Sequence, residues 1–356
     1  MKKSTIMKRN ILISLLLLVS LTGYSQRFDK EKSRVIEKQY VTDGSQTLAV
    51  ENSFGKIQIE TWNKNEITVQ VELIARAESE KEAQRVLDKL EVDIDESPSS
   101  ISLETKINSQ AKNSYGKAFE IHYSIKLPAT NAVEIINKFG DVFVDSRKGK
   151  VMVDLSYGAL KAERLEGESE IELAFGSGFF EYLAESEIEI KYSNVEVEEA
   201  TSLRIEEGFS DLEIRKVAKL DLQSKYGNVD IVTVGEIIVD IRFSDFKIEK
   251  LTKSIDMYGA YVSDFEIGEV AGSVDRVELE TKFGTSELTF AADFHAVIDA
   301  DLKFSDLSYR DLDLKFSRQI TSGNSKEYYG ILGPDDNTEK LVKIESSYGN
   351  YKLKRR

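Results

Sequence analysis

A three-residue phrase returns along this chain at nearly fixed intervals, and it limits the fold more tightly than anything else in the sequence. It is an aromatic residue, then Gly or Ser, then usually Asp or Asn. It reads Phe139-Gly140-Asp141, Tyr157-Gly158-Ala159, Phe175-Gly176-Ser177, Tyr192-Ser193-Asn194, Phe209-Ser210-Asp211, Tyr226-Gly227-Asn228 and Phe243-Ser244-Asp245, at intervals of 18, 18, 17, 17, 17 and 17 residues. Looser copies stand at Tyr258, Phe283, Phe304 and Tyr348, and an early one at Phe54. A fixed short period is the signature of stacked structural repeats.

Around each aromatic the apolar residues alternate with polar ones, as at Leu220, Leu222, Val229 and Ile231 around Tyr226. Such period-2 patterning is that of strands with one buried face. The Gly, Ser, Asp and Asn types suit a bend, because Gly accepts positive φ and the polar side chains bond their own turn backbone. Calcium binding by the Asp/Asn positions is the less favoured reading, since the third place is also Lys, Ala, Ser or Thr. The parity of the aromatics places them with the apolar side, so an internal ring stack is expected. From 139 to 283 the rings alternate Phe and Tyr without a break.

Two topologies fit: an antiparallel meander or barrel with a two-residue bend, and a parallel coil. The coil is favoured because it closes its core against its own opposite side. Membrane barrels need strands of about ten residues, longer than the five to seven expected here. The fold class is therefore all-β, a parallel β-solenoid (β-helix-like) of ~17–18-residue two-strand coils over 131–356, with a small α+β N-terminal cap over 26–130. Within the cap, Leu48, Val50, Phe54, Ile57 and Ile59 match the repeat offsets, and 67–74 and 101–107 alternate as strands. Between them Ala83, Val86, Leu87 and Leu90 fall at helical spacing, predicting an amphipathic helix over about 78–90.

The first 25 residues have the build of a secretory signal peptide. Lys2, Lys3, Lys8 and Arg9 precede an apolar run over 11–21, and Gly23 and Ser25 supply the small residues for cleavage before Gln26. That run is shorter than the ~20 residues of a membrane span, and no later stretch approaches it. There is no cysteine, hence no lipobox thiol, disulfide or thiolate metal site. Net charge is −15, and loss of the four signal-segment cations would take the mature chain to about −19, which repels phosphate backbones; nucleic acid is not an expected partner.

The phrase Phe139-Gly140-Asp141-Val142-Phe143-Val144, the early copy Phe54-Gly55-Lys56-Ile57-Gln58-Ile59 and Leu127-Pro128 ahead of the regular repeats together carry a resemblance. Over roughly 40–356 the chain resembles the bacterial adhesin-like domains of unknown function, related to the GIN-domain auto-transporter adhesin heads. The resemblance implies a β-helix-like fold and a cell-envelope location, and it brings no catalytic residues.

A search for chemistry finds little. His122 and His295 are the only histidines and stand far apart in sequence. Gly176-Ser177-Gly178 lacks the spacing of a nucleophile elbow. Glu185, Glu187 and Glu189 alternate with apolar residues as a solvated strand face. No catalytic, cofactor-binding or metal-ligating residue is assigned, and no cofactor is expected. The wide interval 258–283 and the segment 321–340, with Gly333-Pro334-Asp335-Asp336, are where a site would first be sought. The expected function is that of an exported, periplasmic or surface-located, non-enzymatic envelope protein, an adhesin-like binding or scaffold module whose partner is a glycan or an envelope protein. The alternatives are a polysaccharide-active β-helix enzyme and an envelope-stress or regulatory protein-binding component.

Overall fold

The computed structural model describes residues 30–108, 118–310, 312–334 and 338–356. The signal segment expected at 1–25 and Asp335-Asp336 of the late loop lie outside the described residues. The described chain is all-β apart from one helix, and most of its strand pairing is parallel.

One repeat shows how the sequence makes the structure. The strand Asn194–Gly208 buries Val195, Val197, Ala200, Leu203, Ile205 and Glu207. Strict alternation would carry every second side chain inward, but here the inward parity is reset at Glu198–Glu199 and again at Thr201–Ser202. From Ser177 to Arg242 each repeat is thus one 15-residue strand whose parity changes twice, where five-to-seven-residue strand pairs were expected. The strand pairs in parallel with the next one, Asp211–Lys225, at an offset of 17 residues, Asn194 opposite Asp211 and Gly208 opposite Lys225. The same relation joins Asp211–Lys225 to Asn228–Arg242. Because the offset equals the repeat, like positions stack on like.

Stacking produces continuous apolar rows: Val195, Leu212, Val229 and Phe246 in one, Val197, Ile214, Ile231 and Ile248 in the next, all at most 3% exposed. Each side chain so buried contributes about 1.5–3 kcal/mol. The row Leu165, Leu183, Ala200, Val217, Val234 and Leu251 begins at Arg147, which is fully buried and bridged to Leu165. Arg147 donates to Asn131 O at 2.7 Å and Thr61 Oγ1 at 3.0 Å. Burial pushes its pKa down to about 10.

Outward rows are charged and pair between repeats, as in Arg215 with Glu198 at 2.6 Å and Lys216 with Glu199 at 2.8 Å. Exposed pairs of this kind are worth at most about 1 kcal/mol each.

Spatial order departs from chain order at the late end. Leu341–Arg355 pairs in parallel with both Arg276–Phe290 and Ala296–Lys303, so the last strand lies between two earlier ones. Leu314–Ser322 and Ser325–Leu332 form an antiparallel hairpin, its second strand paired antiparallel to Ala296–Lys303. Early strands are taken in similarly: Thr47–Ser53 pairs in parallel with Val133–Lys138, and Ile57–Trp62 with Val142–Val144.

The chain forms two compact units. One comprises Val35–Glu72, Val92–Lys106 and the described residues of Ile121–Arg356; the other comprises Leu73–Glu91 with the described residues up to Arg34 and in Ile107–Glu120. The smaller unit holds the helix Glu80–Leu87, which buries Ala83, Val86 and Leu87. Ser79 caps it by accepting from Glu82 N at 3.3 Å, and the Ser79 hydroxyl in turn points to Glu82 Oε2 at 3.5 Å.

Candidate functional site: an exposed aromatic ladder

Twelve aromatic residues stand at the repeat corners, and all twelve have left-handed backbone: Phe54, Phe139, Tyr157, Phe175, Tyr192, Phe209, Tyr226, Phe243, Tyr261, Phe283, Phe304 and Tyr348, with φ between +51° and +66°. A side chain larger than hydrogen costs roughly 1–2 kcal/mol there. At each corner the left-handed residue turns the chain so that the apolar residues on both sides face inward while its own ring points out.

Eleven of these rings, from Phe139 to Tyr348, are 42–55% exposed. The expected internal stack is therefore corrected: the stack is external. Parity counting holds only while the backbone stays extended, and a single left-handed residue reverses the side to which its Cβ points. The bend begins at the aromatic itself rather than after it.

The rings stack on one another with centroids 4.7–5.1 Å apart and planes within 5–11° of parallel. The spacing is that of neighbouring strands, so the ladder follows from the parallel register. Stacked aromatic pairs add about 0.5–1.5 kcal/mol beyond area burial, which offsets much of the left-handed strain. Within the ladder each ring has both faces covered, leaving edges outward. A sugar ring cannot lie flat on a face that a neighbouring ring already occupies.

Two ladder positions differ from the sequence expectation. Tyr258 is not a corner residue; Tyr261 takes the place, stacking at 4.8 Å on Phe243 and 4.7 Å on Phe283. Tyr258 sits under Arg242 and Lys282, at 5.3 and 5.2 Å from its ring. The 18-residue step from Phe243 to Tyr261 was a usable signal, masked because Val262 replaces the small second residue. In space, Tyr348 lies between Phe283 and Phe304, which the chain order separates. Phe and Tyr consequently alternate through every ring from Phe139 to Phe304.

Two residues past the rings from Tyr192 to Phe243 runs a polar row. Asp211 and Asp245 follow Phe, whereas Asn194 and Asn228 follow Tyr. Asn228 Nδ2 donates to Asp211 Oδ1 at 2.7 Å. Asp141 Oδ1 accepts from Ala159 N at 3.1 Å, and Asn350 Oδ1 from Asp306 N at 3.1 Å. Alternation keeps carboxylates off adjacent strands, where like charges would be destabilising. At the corners, serines join neighbouring repeats: Ser193 Oγ accepts from Gly176 N at 3.0 Å, and Ser244 Oγ from Gly227 N at 3.2 Å.

The two irregular segments are structural in what they show. The extra residues after Tyr258 form a wider corner that buries Val270, Ala271 and Val274. The described part of 321–340 lies largely in the hairpin, which turns at Gly323. His122 Nδ1 accepts from Lys56 N at 3.1 Å, and His295 contacts Asp293 O at 3.3 Å. Among the described residues no three His, Cys, Asp or Glu side chains are grouped to hold a metal ion. No helix among them is long and apolar enough to cross a membrane.

No protein-family model matches the chain. No curated protein matches it either. Eleven chains of solved structures do. A putative cell adhesion protein from Clostridium sporogenes matches 91% of this chain and 100% of its own, at 14% identity and a TM-score of 0.23. A putative adhesin from Parabacteroides distasonis matches 71% and 96%, at 8% identity and a TM-score of 0.39. A putative lipid binding protein from the same species matches 91% and 97%, at 9% identity and a TM-score of 0.33.

Proposed function

We propose that this protein is an exported, non-enzymatic binding module of the cell envelope, periplasmic or surface-located, that meets its partner along the aromatic ladder. In this reading the parallel ladder winds as a β-solenoid over 131–356, residues 26–130 contribute an α+β cap, and 1–25 are removed on export. The observation that carries it is the row of eleven half-exposed rings, held at strand spacing by corners too short to build a deep substrate cleft. Soluble proteins rarely leave a continuous apolar strip on the surface unless something covers it. The basic-then-apolar start with small residues before Gln26 supports export.

The first test is a glycan-array and polysaccharide-cleavage screen on residues 26–356, with cell fractionation beside it. Binding without turnover, made along the ring edges and lost on removing ladder rings, is the expected result. Turnover that disappears with a carboxylate pair would overturn the non-enzymatic reading, and a cytoplasmic location would overturn the export.

A further inference from the structure

Two residues before each ring is an inward slot, and in most repeats it holds an apolar or small polar residue: Leu155, Leu173, Ile190, Ser224, Ile241. Only one repeat places a carboxylate there. Glu207 is 6% exposed, with Ile190 and Ser224 as its uncharged neighbours in register. A Cβ built on Gly227 would lie 2.7 Å from both Glu207 carboxyl oxygens, so the carboxyl abuts the 226–228 corner from inside.

Counting protons shows which form of the acid fits. The Ser224 hydroxyl contacts both Glu207 Oε1 and Ser244 Oγ, the latter at 3.2 Å, but it has one proton to donate. If Glu207 is neutral, its own proton goes to Ser224 Oγ and Ser224 donates to Ser244 Oγ. Ser244 then donates to Arg242 O at 3.0 Å while accepting from Gly227 N at 3.2 Å. Every donor in that chain is used. If Glu207 is ionised, Ser224 must turn its proton back to the carboxylate, the link to Ser244 loses its donor, and the buried charge is met only by that hydroxyl and the Ser210 N–H. A buried ionised carboxylate without full hydrogen bonding is strongly disfavoured.

We propose that Glu207 is a proton-operated latch on the 226–228 corner: the neutral acid holds the corner closed, and its ionisation loosens the corner and the ring of Tyr226 that rides on it. This goes beyond the binding role and does not depend on it.

The charged groups around the site favour the same state. Burial pushes the Glu207 pKa up to about 7 and Asp211 acts in the same direction, against the Ser224 hydroxyl and the Ser210 N–H. Lys225 and Asp245 on the neighbouring strands are exposed, and Arg242 is taken up by Asp240 at 2.7 Å. No cation offsets the buried charge.

The test is a carboxyl carbon NMR titration with Glu207 assigned by its loss in E207Q, read together with the amide shifts of Gly227 and of Gly158, whose repeat carries Leu155 in the slot. The latch predicts a Glu207 midpoint near pH 7, a Gly227 shift with the same midpoint that vanishes in E207Q, and a flat Gly158. Titration of Glu207 below pH 5, or a Gly227 shift that persists in E207Q, would overturn it. Should E207Q fail to fold, through-bond correlation of the carboxyl carbon to the Glu207 amide assigns it in the wild type, and a Gly227 midpoint different from that of Glu207 would overturn the latch.

Discussion

A Phe or Tyr in left-handed backbone is a local conflict, and here it is repeated twelve times. What resolves it is the neighbouring ring on either side. Substitutions at Phe209 separate the two terms. Phe209→Ala loses the stacking and keeps the strain, whereas Phe209→Gly loses the stacking and relieves the strain. The Gly variant should therefore be the more stable of the two by about 1 kcal/mol in urea unfolding. An Ala variant at least as stable as the Gly variant would mean that the corner is not strained. For the same reason Tyr226→Asp should leave a folded protein, since the ring it removes is outside the core.

Glu207 belongs to this scale as well. Its folded pKa, about 7, lies above the ordinary 4.5, so the folded state holds the proton more tightly than the unfolded one. Its contribution is complete below pH 4.5 and is lost as pH rises through about 7, by roughly 3 kcal/mol in all. Wild-type melting temperature should accordingly fall between pH 5 and 8 relative to Glu207→Leu. Parallel pH curves for the two proteins would remove Glu207 as the cause.

Between elements, interactions are set by the offset of 17 or 18 residues, which lays each side chain beside its own equivalent. This is favourable for Val on Leu and for ring on ring, and unfavourable for charge on like charge. Some outward positions answer with opposite sign, as Arg215 beside Glu198 and Lys216 beside Glu199, and the corner row alternates acid with amide from Asn194 to Asp245, whereas Glu172, Glu189 and Glu206 stay stacked. Asn228→Asp breaks that rule by placing a carboxylate between Asp211 and Asp245. It should destabilise by about 0.5–1 kcal/mol at neutral pH, and the loss should shrink at high salt and below the carboxylate pKa range. A salt-independent loss would point to the missing Asn228–Asp211 hydrogen bond instead. Arg147 shows the rule from the other side: it opens an aliphatic row with a cation because the groups beneath it are the Asn131 carbonyl and the Thr61 hydroxyl.

For the molecule as a whole, stability in such an array is close to a sum over repeats and their contacts. Removing residues 194–227, two full repeats, joins Tyr192-Ser193 to Asn228 and restores both the register and the Phe–Tyr alternation. The shortened chain should fold with the same circular dichroism per residue. Removing 194–202 shifts every inward residue after the seam and should not fold. Equal behaviour of the two deletions would contradict a register-defined array.

The period, the apolar rows and the all-β class were legible in the residues, because alternation and repeat length are properties of the chain itself. Leu220, Leu222, Val229 and Ile231 lie buried where their spacing placed them. The helix was legible from Ala83, Val86 and Leu87 for a similar reason. The outward turn of the rings was not, since the sign of φ at a corner is decided by what the ring meets on the neighbouring strand. Nor was the choice of Tyr261 over Tyr258, or the placing of Tyr348 between Phe283 and Phe304, because both depend on which strands become neighbours. Local pattern states which residues are apolar and how often; only packing across strands states which of them are covered, and there the sequence by itself put the ladder on the wrong side of the wall.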